Sequence, residues 1–295
     1  MLRERLATTP ISWGFVGGNR WGVDLGAERI LGEMASLGFR ATEAGVPGFL
    51  PDDVGAARAL LDQFGMHPIA GPVSFLAHVP SAVEESLVRV AAAADRLAAL
   101  GAEVLMTVPK RGDLATGDRL DDATWARVLD VLARVEEICN ERGLHQGVHP
   151  HVGSLVETLE DMERVMGDER IGWCLDTAHV ASGGADPVEF ARQAGSRIHH
   201  FHLKDADLDL GRRMVAHQVP FDDAIKGNVF RPLGLGDLDI GAIIDAMAPR
   251  TDVWWVLEQD QACPGVPAAG EGPMLDAKAS LAFFDRHVAA KGARP

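Results

Sequence analysis

The chain has 295 residues but only three cysteines, Cys139, Cys174 and Cys263. They are widely spaced and form no CxxC motif, so the sequence predicts neither a disulfide framework nor a zinc knuckle. No segment approaches 18 uninterrupted apolar residues, the length that a membrane-spanning helix needs. The first residues, MLRERLATTP, also lack the apolar run of a signal peptide. We therefore expect a cytoplasmic protein without membrane contacts.

Positive charge is scarce as well. The chain has 28 Lys and Arg residues against 43 Asp and Glu residues, which gives a formal net charge of −15. A protein that binds nucleic acid needs a basic surface to meet the phosphates, and no basic run is present. The charge therefore argues against a nucleic-acid partner. Hydrophobic residues make up 47% of the chain, which is enough to build a sizeable core.

Short apolar segments alternate with longer helical segments along the whole chain. The candidate strands are TTPISWG, GFRATEAG, GMHPIAG, AEVLMTVP, GLHQGVHPHVG, IGWCLDTAH, SRIHHFHLKD and TDVWWVLEQD. Eight strand-plus-helix units, with a period of roughly 35 residues, predict parallel strands and a single (β/α)8 TIM barrel over residues 1–295. An open doubly wound sheet is the alternative, but no GxGxxG follows the first strand.

The predicted helices cover residues 24–37, 52–64, 81–100, 121–142, 154–166, 186–195, 239–248 and 272–291. Ser81 is the expected N-cap of the third helix, with Glu84 three residues later. Residues 205–238 are predicted to be a long irregular loop, and such loops in compact domains are often functional.

Ionisable side chains stand at the carboxyl ends of four late strands: His149, Asp176, His202 and Glu258. In a closed barrel these strand ends converge near the axis. Two imidazoles and two carboxylates that meet at one point predict a divalent-metal site. A mixed nitrogen and oxygen donor set without thiolate suits Mn²⁺, Co²⁺, Fe²⁺ or Zn²⁺ better than Mg²⁺, which prefers an all-oxygen shell.

The segment RIHHFHLKD has three histidines in four positions. Because side chains alternate along a strand, His200, His202 and Lys204 are expected on one face and His199 on the other. We predict that His202 binds the metal and that Lys204 lies above it, toward the substrate. His200 should lie one layer deeper in the barrel, and His199 should face the helices.

These segments resemble those of the xylose-isomerase-like TIM barrels. The pieces that carry the resemblance are FRATEAGVPGFLP, GVHPHVGSLVET, CLDTAH, HFHLKDAD, FRPLGLGDLDI and VLEQDQ. Within this superfamily, the combination of HPH with LEQDQ is most similar to the inosose dehydratases. The resemblance implies one divalent metal ion, in the first place Mn²⁺ or Co²⁺, held by the four strand-end residues. It also implies that substrate is bound by Trp13, Glu43, His179 and Lys204.

Epimerases of this superfamily usually have a glutamate where this chain has His149. A proton exchange between two carboxylates is therefore disfavoured, and the resemblance favours a β-elimination. The predicted activity is that of a metal-dependent lyase that dehydrates a cyclic keto-polyol. Glu258 or His149 would act as the base, and His151, His179 or Lys204 would act as the acid.

Four alternatives differ from this hypothesis in reaction or class. They are a keto-sugar isomerase or epimerase, a 3-keto-glycoside lyase, a sugar-binding barrel without catalysis, and a DNA-repair endonuclease. The net charge disfavours the last of these. The sequence leaves the oligomeric state open, with a homodimer or a homotetramer as the candidates.

Overall fold

The structure is a computed structural model, and it describes residues 2–114 and 118–292. The strands are β1 (Leu6–Thr8), β2 (Ala41–Thr42), β3 (His67–Pro68), β4 (Ala70–Phe75), β5 (Val104–Pro109), β6 (His145–Val148), β7 (Trp173–Asp176), β8 (Ile198–Leu203), β9 (Asp205–Ala206), β10 (Phe230–Arg231) and β11 (Trp254–Leu257). Nine of them form one parallel sheet in the order β3-β2-β1-β11-β8-β7-β6-β5-β4, and β9 and β10 pair separately as an antiparallel ribbon.

A single residue joins the two ends of the large sheet. Ile69 lies between β3 and β4; its N–H donates to the carbonyl of Thr42 in β2, and its carbonyl accepts from Val104 N in β5. β3 and β4 are therefore two halves of one barrel strand. The nine strands fill eight positions around a barrel, which confirms the predicted (β/α)8 architecture.

The helices surround the barrel. They are α1 (Ala27–Ser36), α2 (Val54–Gln63), α3 (Val83–Leu100), α4 (Asp122–Asn140), α5 (Leu159–Met166), α6 (Thr177–Ser182), α7 (Pro187–Ala194), α8 (Leu208–Val215), α9 (Phe221–Lys226), α10 (Ile240–Met247) and α11 (Pro273–Gly292). Aspartates begin several of them; the carboxylates of Asp53, Asp121 and Asp186 accept N–H groups of the first turn. Within the described ranges, no helix combines the length and the apolar character needed to cross a membrane.

Three predictions of local structure were wrong. The first strand is Leu6–Thr8, and PISW forms a 3-10 turn instead of continuing it, because Pro10 has no N–H for the ladder. Ser81 does not cap α3, since a 3-10 turn over Pro80–Ala82 precedes the helix and the cap position falls on Ala82. Residues 205–238 are not an irregular loop; they contain β9, α8, α9 and β10.

The barrel interior below the rim is filled by small and apolar side chains. This inner cluster consists of Ala7, Ala41, Ile69, Ala70, Val104, Met106, Cys174 and Val256. A larger core lies between the strands and the helices, where for example Phe201 packs edge-to-face on Trp255. Because the lower interior is closed by packing, buried ionisable groups inside the barrel concentrate toward the carboxyl ends of its strands. The three cysteines are buried and unpaired.

Candidate metal centre and cavity

The four predicted metal ligands converge at the mouth of the barrel. Asp176 and His202 are paired across β7 and β8, while His149 and Glu258 directly follow β6 and β11. His202 Nδ1 lies 2.5 Å from Glu258 Oε2 and 3.5 Å from Asp176 Oδ2, and His149 Nε2 lies 3.8 Å from the same Asp176 oxygen. One ligand atom from each residue falls within 4.8 Å of the others, and all four side chains are buried.

The donor atoms fit a divalent ion. His202 Nδ1, Asp176 Oδ2 and Glu258 Oε2 are buried, and none of them makes a well-oriented hydrogen bond to any part of the chain that the structure describes. Buried polar atoms are normally hydrogen-bonded, and apart from the ammonium of Lys204, which approaches both carboxylate oxygens, these three atoms face one another, so a divalent ion among them would satisfy all three. Two imidazole nitrogens and two carboxylate oxygens are a donor set that Mn²⁺, Co²⁺, Fe²⁺ and Zn²⁺ accept.

Glu43, which follows β2, orients the metal-facing imidazole. Its Oε1 accepts the Nε2–H groups of both His200 and His202, each at 2.7 Å. Burial opposes the charge on Glu43, but the two imidazoles outweigh burial and lower its pKa far below 4.5. With Nε2 held in this way, His202 turns Nδ1 toward Asp176 and Glu258. Glu43 was predicted to contact substrate; it lines the cavity, yet its closest partners are the two histidines.

His149 and His151 have fixed tautomers. The Nδ1–H of each ring donates to a backbone carbonyl at 2.7 Å, that of Pro150 for His149 and that of Val152 for His151. Each ring therefore keeps the lone pair on Nε2. Burial lowers the pKa of His149 to about 3 and also lowers that of His151, so both rings are neutral. His151 was predicted as an acid, but a neutral ring in this tautomer can only accept a proton at Nε2.

Lys204 supplies the positive charge of the site. Its Nζ lies 2.9 Å from Asp176 Oδ2, 3.0 Å from Glu258 Oε2 and 3.3 Å from Asp260 Oδ1, and the residue is 1% exposed. Burial disfavours the ammonium, but the three carboxylates outweigh burial and raise the pKa of Lys204 well above 10.5. The same ammonium, with His202, keeps the pKa values of Asp176 and Glu258 low despite their burial.

Sequence reasoning missed Asp260. It stands two residues after Glu258, it is buried beside Lys204, and it lines the cavity. Burial raises its pKa to about 7, although Lys204 works in the opposite direction. The alternation in WVLEQD, which was used to select Glu258, also places Asp260 on the same side and could have found it.

His179, in α6, lies beside the predicted ligands. Its ring centroid is 4.3 Å from that of His151 and 5.5 Å from that of His149. The side chain is buried, and neither ring nitrogen has a hydrogen-bond partner among the described residues. Burial lowers its pKa well below 6.5, so the ring is neutral. The structure thus places His179 next to the site, behind the residues that line the cavity.

Trp13 is the one predicted substrate contact that the structure places elsewhere. The residue is fully buried, and its indole N–H donates to Glu33 Oε2 of α1 at 2.8 Å. The prediction was wrong because the chain turns into a 3-10 helix after β1, which directs Trp13 into the core outside the barrel. Its neighbours Ile11 and Phe15 line the cavity instead.

A cavity of about 150 Å³ lies at this site and is lined by three of the four ligands, His149, His202 and Glu258. One part of its wall is apolar and consists of Ile11, Phe15, Val46, Pro72, Met106 and Val108. The other part is polar and consists of Thr9, Glu43, His149, His151, His202, Lys204, Glu258 and Asp260. A small molecule with a carbon–hydrogen face and several oxygen atoms would match both parts of the wall.

Comparisons with known proteins agree with this architecture. Residues 31–287 match the model of a family described as xylose isomerase-like TIM barrel. An inosose dehydratase from Geobacillus kaustophilus is 29% identical over a 297-residue alignment that covers 96% of this chain and 94% of that protein.

Two solved structures were compared with the fold. The IolI protein with a bound zinc atom gives a TM-score of 0.70 at 16% identity and covers 97% of this chain and 98% of its own. L-ribulose 3-epimerase gives a TM-score of 0.69 at 18% identity, and the match covers 97% of this chain and 94% of the epimerase chain. At these identities the two structures support the fold alone.

Proposed function

The chain belongs to the xylose isomerase-like TIM barrel family, and we propose that it is a divalent-metal-dependent lyase that dehydrates a cyclic keto-polyol of the inosose type. The observation that carries the proposal is the group of four buried ligand atoms within 4.8 Å of one another, three of whose residues line a cavity with a polar and an apolar wall. The similarity to curated inosose dehydratases supports the substrate class.

Four residues would hold the metal: His149 through Nε2, His202 through Nδ1, and Asp176 and Glu258 through one carboxylate oxygen each. A bound divalent ion supplies Lewis-acid polarisation of a carbonyl oxygen, which stabilises negative charge that develops there. We propose Mn²⁺ or Co²⁺, with Zn²⁺, Fe²⁺ and Mg²⁺ as alternatives. Glu43 would keep Nδ1 of His202 in place by accepting its other N–H.

The cavity walls would orient the ring of the substrate. Phe15 and Met106 belong to the apolar part, against which the carbon–hydrogen face of a six-membered ring can pack. Lys204 and Asp260 belong to the polar part and would hydrogen-bond to the hydroxyl groups. This arrangement holds one edge of the ring over the four ligands and excludes water from the other face.

His151 is the best-placed base. The predicted bases, Glu258 and His149, both direct their free donor atoms toward the metal position, so their lone pairs are engaged there. His151 lines the cavity, is neutral, and keeps its lone pair on Nε2. In the proposed reaction, this nitrogen accepts the proton from the carbon next to the ketone.

Lys204 would complete the elimination as the acid. As the bond to the β-hydroxyl breaks, Nζ donates a proton to that oxygen, and water leaves. Asp260 lies 3.3 Å from the ammonium, and its pKa of about 7 lets it hold a proton near neutral pH and return one to the amine. The remaining enol rearranges to a diketone, so the balance is the loss of one water molecule.

The proposal is tested with protein freed of metal by EDTA and reloaded with Mn²⁺ or Co²⁺. We expect 2-keto-myo-inositol to be converted to an ultraviolet-absorbing dione, with no conversion before reloading. Turnover of a keto-hexose without conversion of the inosose would instead place the chain among the isomerases. Absence of bound metal, together with unchanged behaviour of Asp176→Asn, would favour a sugar-binding barrel without catalysis.

A further inference from the structure

A second group of metal-ligating side chains lies outside the barrel, at the opposite end of the strands. It consists of Glu136 near the end of α4, His145 at the start of β6 and His199 near the start of β8, and we call it the outer triad. One ligand atom from each residue lies within 4.8 Å of the others. The mechanism described above uses none of these side chains.

The local structure brings the two histidines together across an intervening strand. β7 separates β6 from β8 in the sheet, and Gly172 immediately precedes β7. A Cβ atom at Gly172 would overlap the ring of His199, so only glycine leaves room for this ring above the strand. The rings of His145 and His199 consequently stack, with centroids 4.3 Å apart and planes within 8° of each other.

The third member is held in place by the backbone. Glu136 Oε2 accepts the N–H of Gln146 at 3.0 Å, which ties α4 to the start of β6, and the side chain of Asn140 also hydrogen-bonds to this carboxylate. The nearby cation, Arg250, is engaged elsewhere, since it binds the carboxylate of Asp252 and the carbonyl of Ile198.

The surroundings of His199 also suit metal binding. Burial, with help from His145, lowers the pKa of His199 to about 4, so its ring is neutral and keeps a lone pair at neutral pH. His145 is exposed, which gives solvent access and allows its ring to rotate out of the stack. Rotation is needed because the lone pairs of two parallel rings lie in parallel planes and cannot converge on one ion.

We propose that Glu136, His145 and His199 form a second binding site for a divalent transition-metal ion such as Zn²⁺, separate from the centre at the barrel mouth. Two imidazoles and one carboxylate are a common set of three zinc ligands, and they leave the fourth position to water. A bound ion would link α4, β6 and β8 at the end of the barrel where no reaction takes place.

The test uses Zn²⁺ alone as the probe. Equilibrium dialysis followed by elemental analysis counts the ions bound by the wild-type chain and by His145→Gln, His199→Gln and His67→Gln. His67 is the matched control, because it is also exposed and also opens a strand, β3, but belongs to no such group among the described residues. We expect His145→Gln and His199→Gln to bind one ion fewer per chain, and His67→Gln to bind as the wild type does.

Two further measurements separate metal binding at the outer triad from metal binding at the barrel mouth. In an Asp176→Asn background, which removes a ligand of the barrel-mouth centre, Zn²⁺ should still raise the unfolding temperature, and the added His145→Gln should abolish that rise. Dehydratase activity of His145→Gln with Mn²⁺ should remain at the wild-type level. The proposal is overturned if His145→Gln binds as many ions as the wild type with the same affinity. If His199→Gln does not fold, the exposed position 145 carries the test.

Discussion

His202 on the inner face of β8 and His199 on its outer face have pKa values that their surroundings shift in opposite directions. On the inner face, burial disfavours the charged ring of His202, but Glu258 and Glu43 outweigh burial and raise its pKa well above 6.5. On the outer face, Asp252 also favours the charged ring of His199, but burial, together with His145 and Arg250, outweighs it and lowers the pKa of His199 to about 4. Two residues three positions apart thus differ because the opposite charge on the inner side outweighs burial and that on the outer side does not.

Carboxylates follow the same rule. Inside the barrel, His202 and Lys204 keep the pKa of Glu258 low although the group is buried. Outside it, Glu157 borders a cleft next to α5, and burial raises its pKa to about 7. The fold preserves buried charge where the charge of the partners outweighs burial, as it does for Glu258, and it shifts the buried group toward its neutral form where burial prevails, as it does for Glu157. The mouth of the barrel is therefore a preformed charged centre.

Of the substitutions that test this contrast between the inner and outer groups, Asp176→Asn is expected to have the largest effect, a loss of catalytic activity. The change removes one charged ligand oxygen, while the asparagine Oδ1 can still accept the N–H groups of Ala178 and His179 that begin α6. Metal-assisted stabilisation is worth several kcal/mol, so kcat/KM for inosose dehydration should fall by about a thousandfold. Steady-state kinetics and metal analysis measure the effect, and His145→Gln is the control outside the barrel. Activity near the wild-type level would show that Asp176 is not a ligand.

Lys204→Met removes the cation that balances the inner carboxylates. In the presence of EDTA, Asp176, Glu258 and Asp260 would lose their shared ammonium, and the free energy of unfolding should fall by about 3 kcal/mol. Mn²⁺ should restore part of this loss, because the ion replaces the missing charge. Urea unfolding with EDTA and with Mn²⁺ measures both values. A variant as stable as the wild type in EDTA would contradict the idea that partner charge preserves the site.

Glu43→Gln tests whether the hydrogen bond from His202 to Glu43 contributes to metal affinity. The amide keeps an acceptor oxygen but loses the charge that polarises the N–H of His202. Removing such an outer partner typically lowers metal affinity by about 10- to 100-fold, and we expect a loss in this range from metal titration. Glu33→Gln is the matched control, because Glu33 is also a buried glutamate that accepts a ring N–H, that of Trp13, away from the cavity. Equal effects of the two changes would assign Glu43 a role in packing only.

Strand alternation explains how much of the site could be predicted. The barrel order, the convergence of the four strand-end residues and the separation of His199 from His202 all follow from a period of two and a parallel sheet. These features depend on the backbone alone. The sequence could therefore predict them without knowing any neighbour of each side chain.

The incorrect or missing predictions concern particular contacts. Trp13 was misplaced because the sequence pattern did not mark the 3-10 turn after β1. Asp260 was missed although the same alternation selects it. The tautomer of His151 depends on one hydrogen bond to the carbonyl of Val152. The position of Glu43 depends on hydrogen bonds from the rings of His200 and His202, which lie far from it in the sequence. Such pairings arise from tertiary packing, which a single sequence does not specify.

Glu157→Gln should have the smallest effect of the four substitutions. It tests whether the buried carboxylate of Glu157, outside the barrel, lowers the free energy of unfolding when it ionises. The folded pKa of about 7 lies above the ordinary value of 4.5, so Glu157 contributes stability that is fully present below pH 4.5 and is lost as the pH rises through 7. Glutamine cannot ionise and should avoid this loss. Relative to the wild type, the variant should therefore gain about 1 to 2 kcal/mol of unfolding free energy between pH 5 and pH 8. Glu163→Gln, on the exposed side of α5, is the control and should show no such gain. A gain of zero for Glu157→Gln in urea unfolding would mean that this buried carboxylate stays charged, and that opposite charge is available outside the barrel as well.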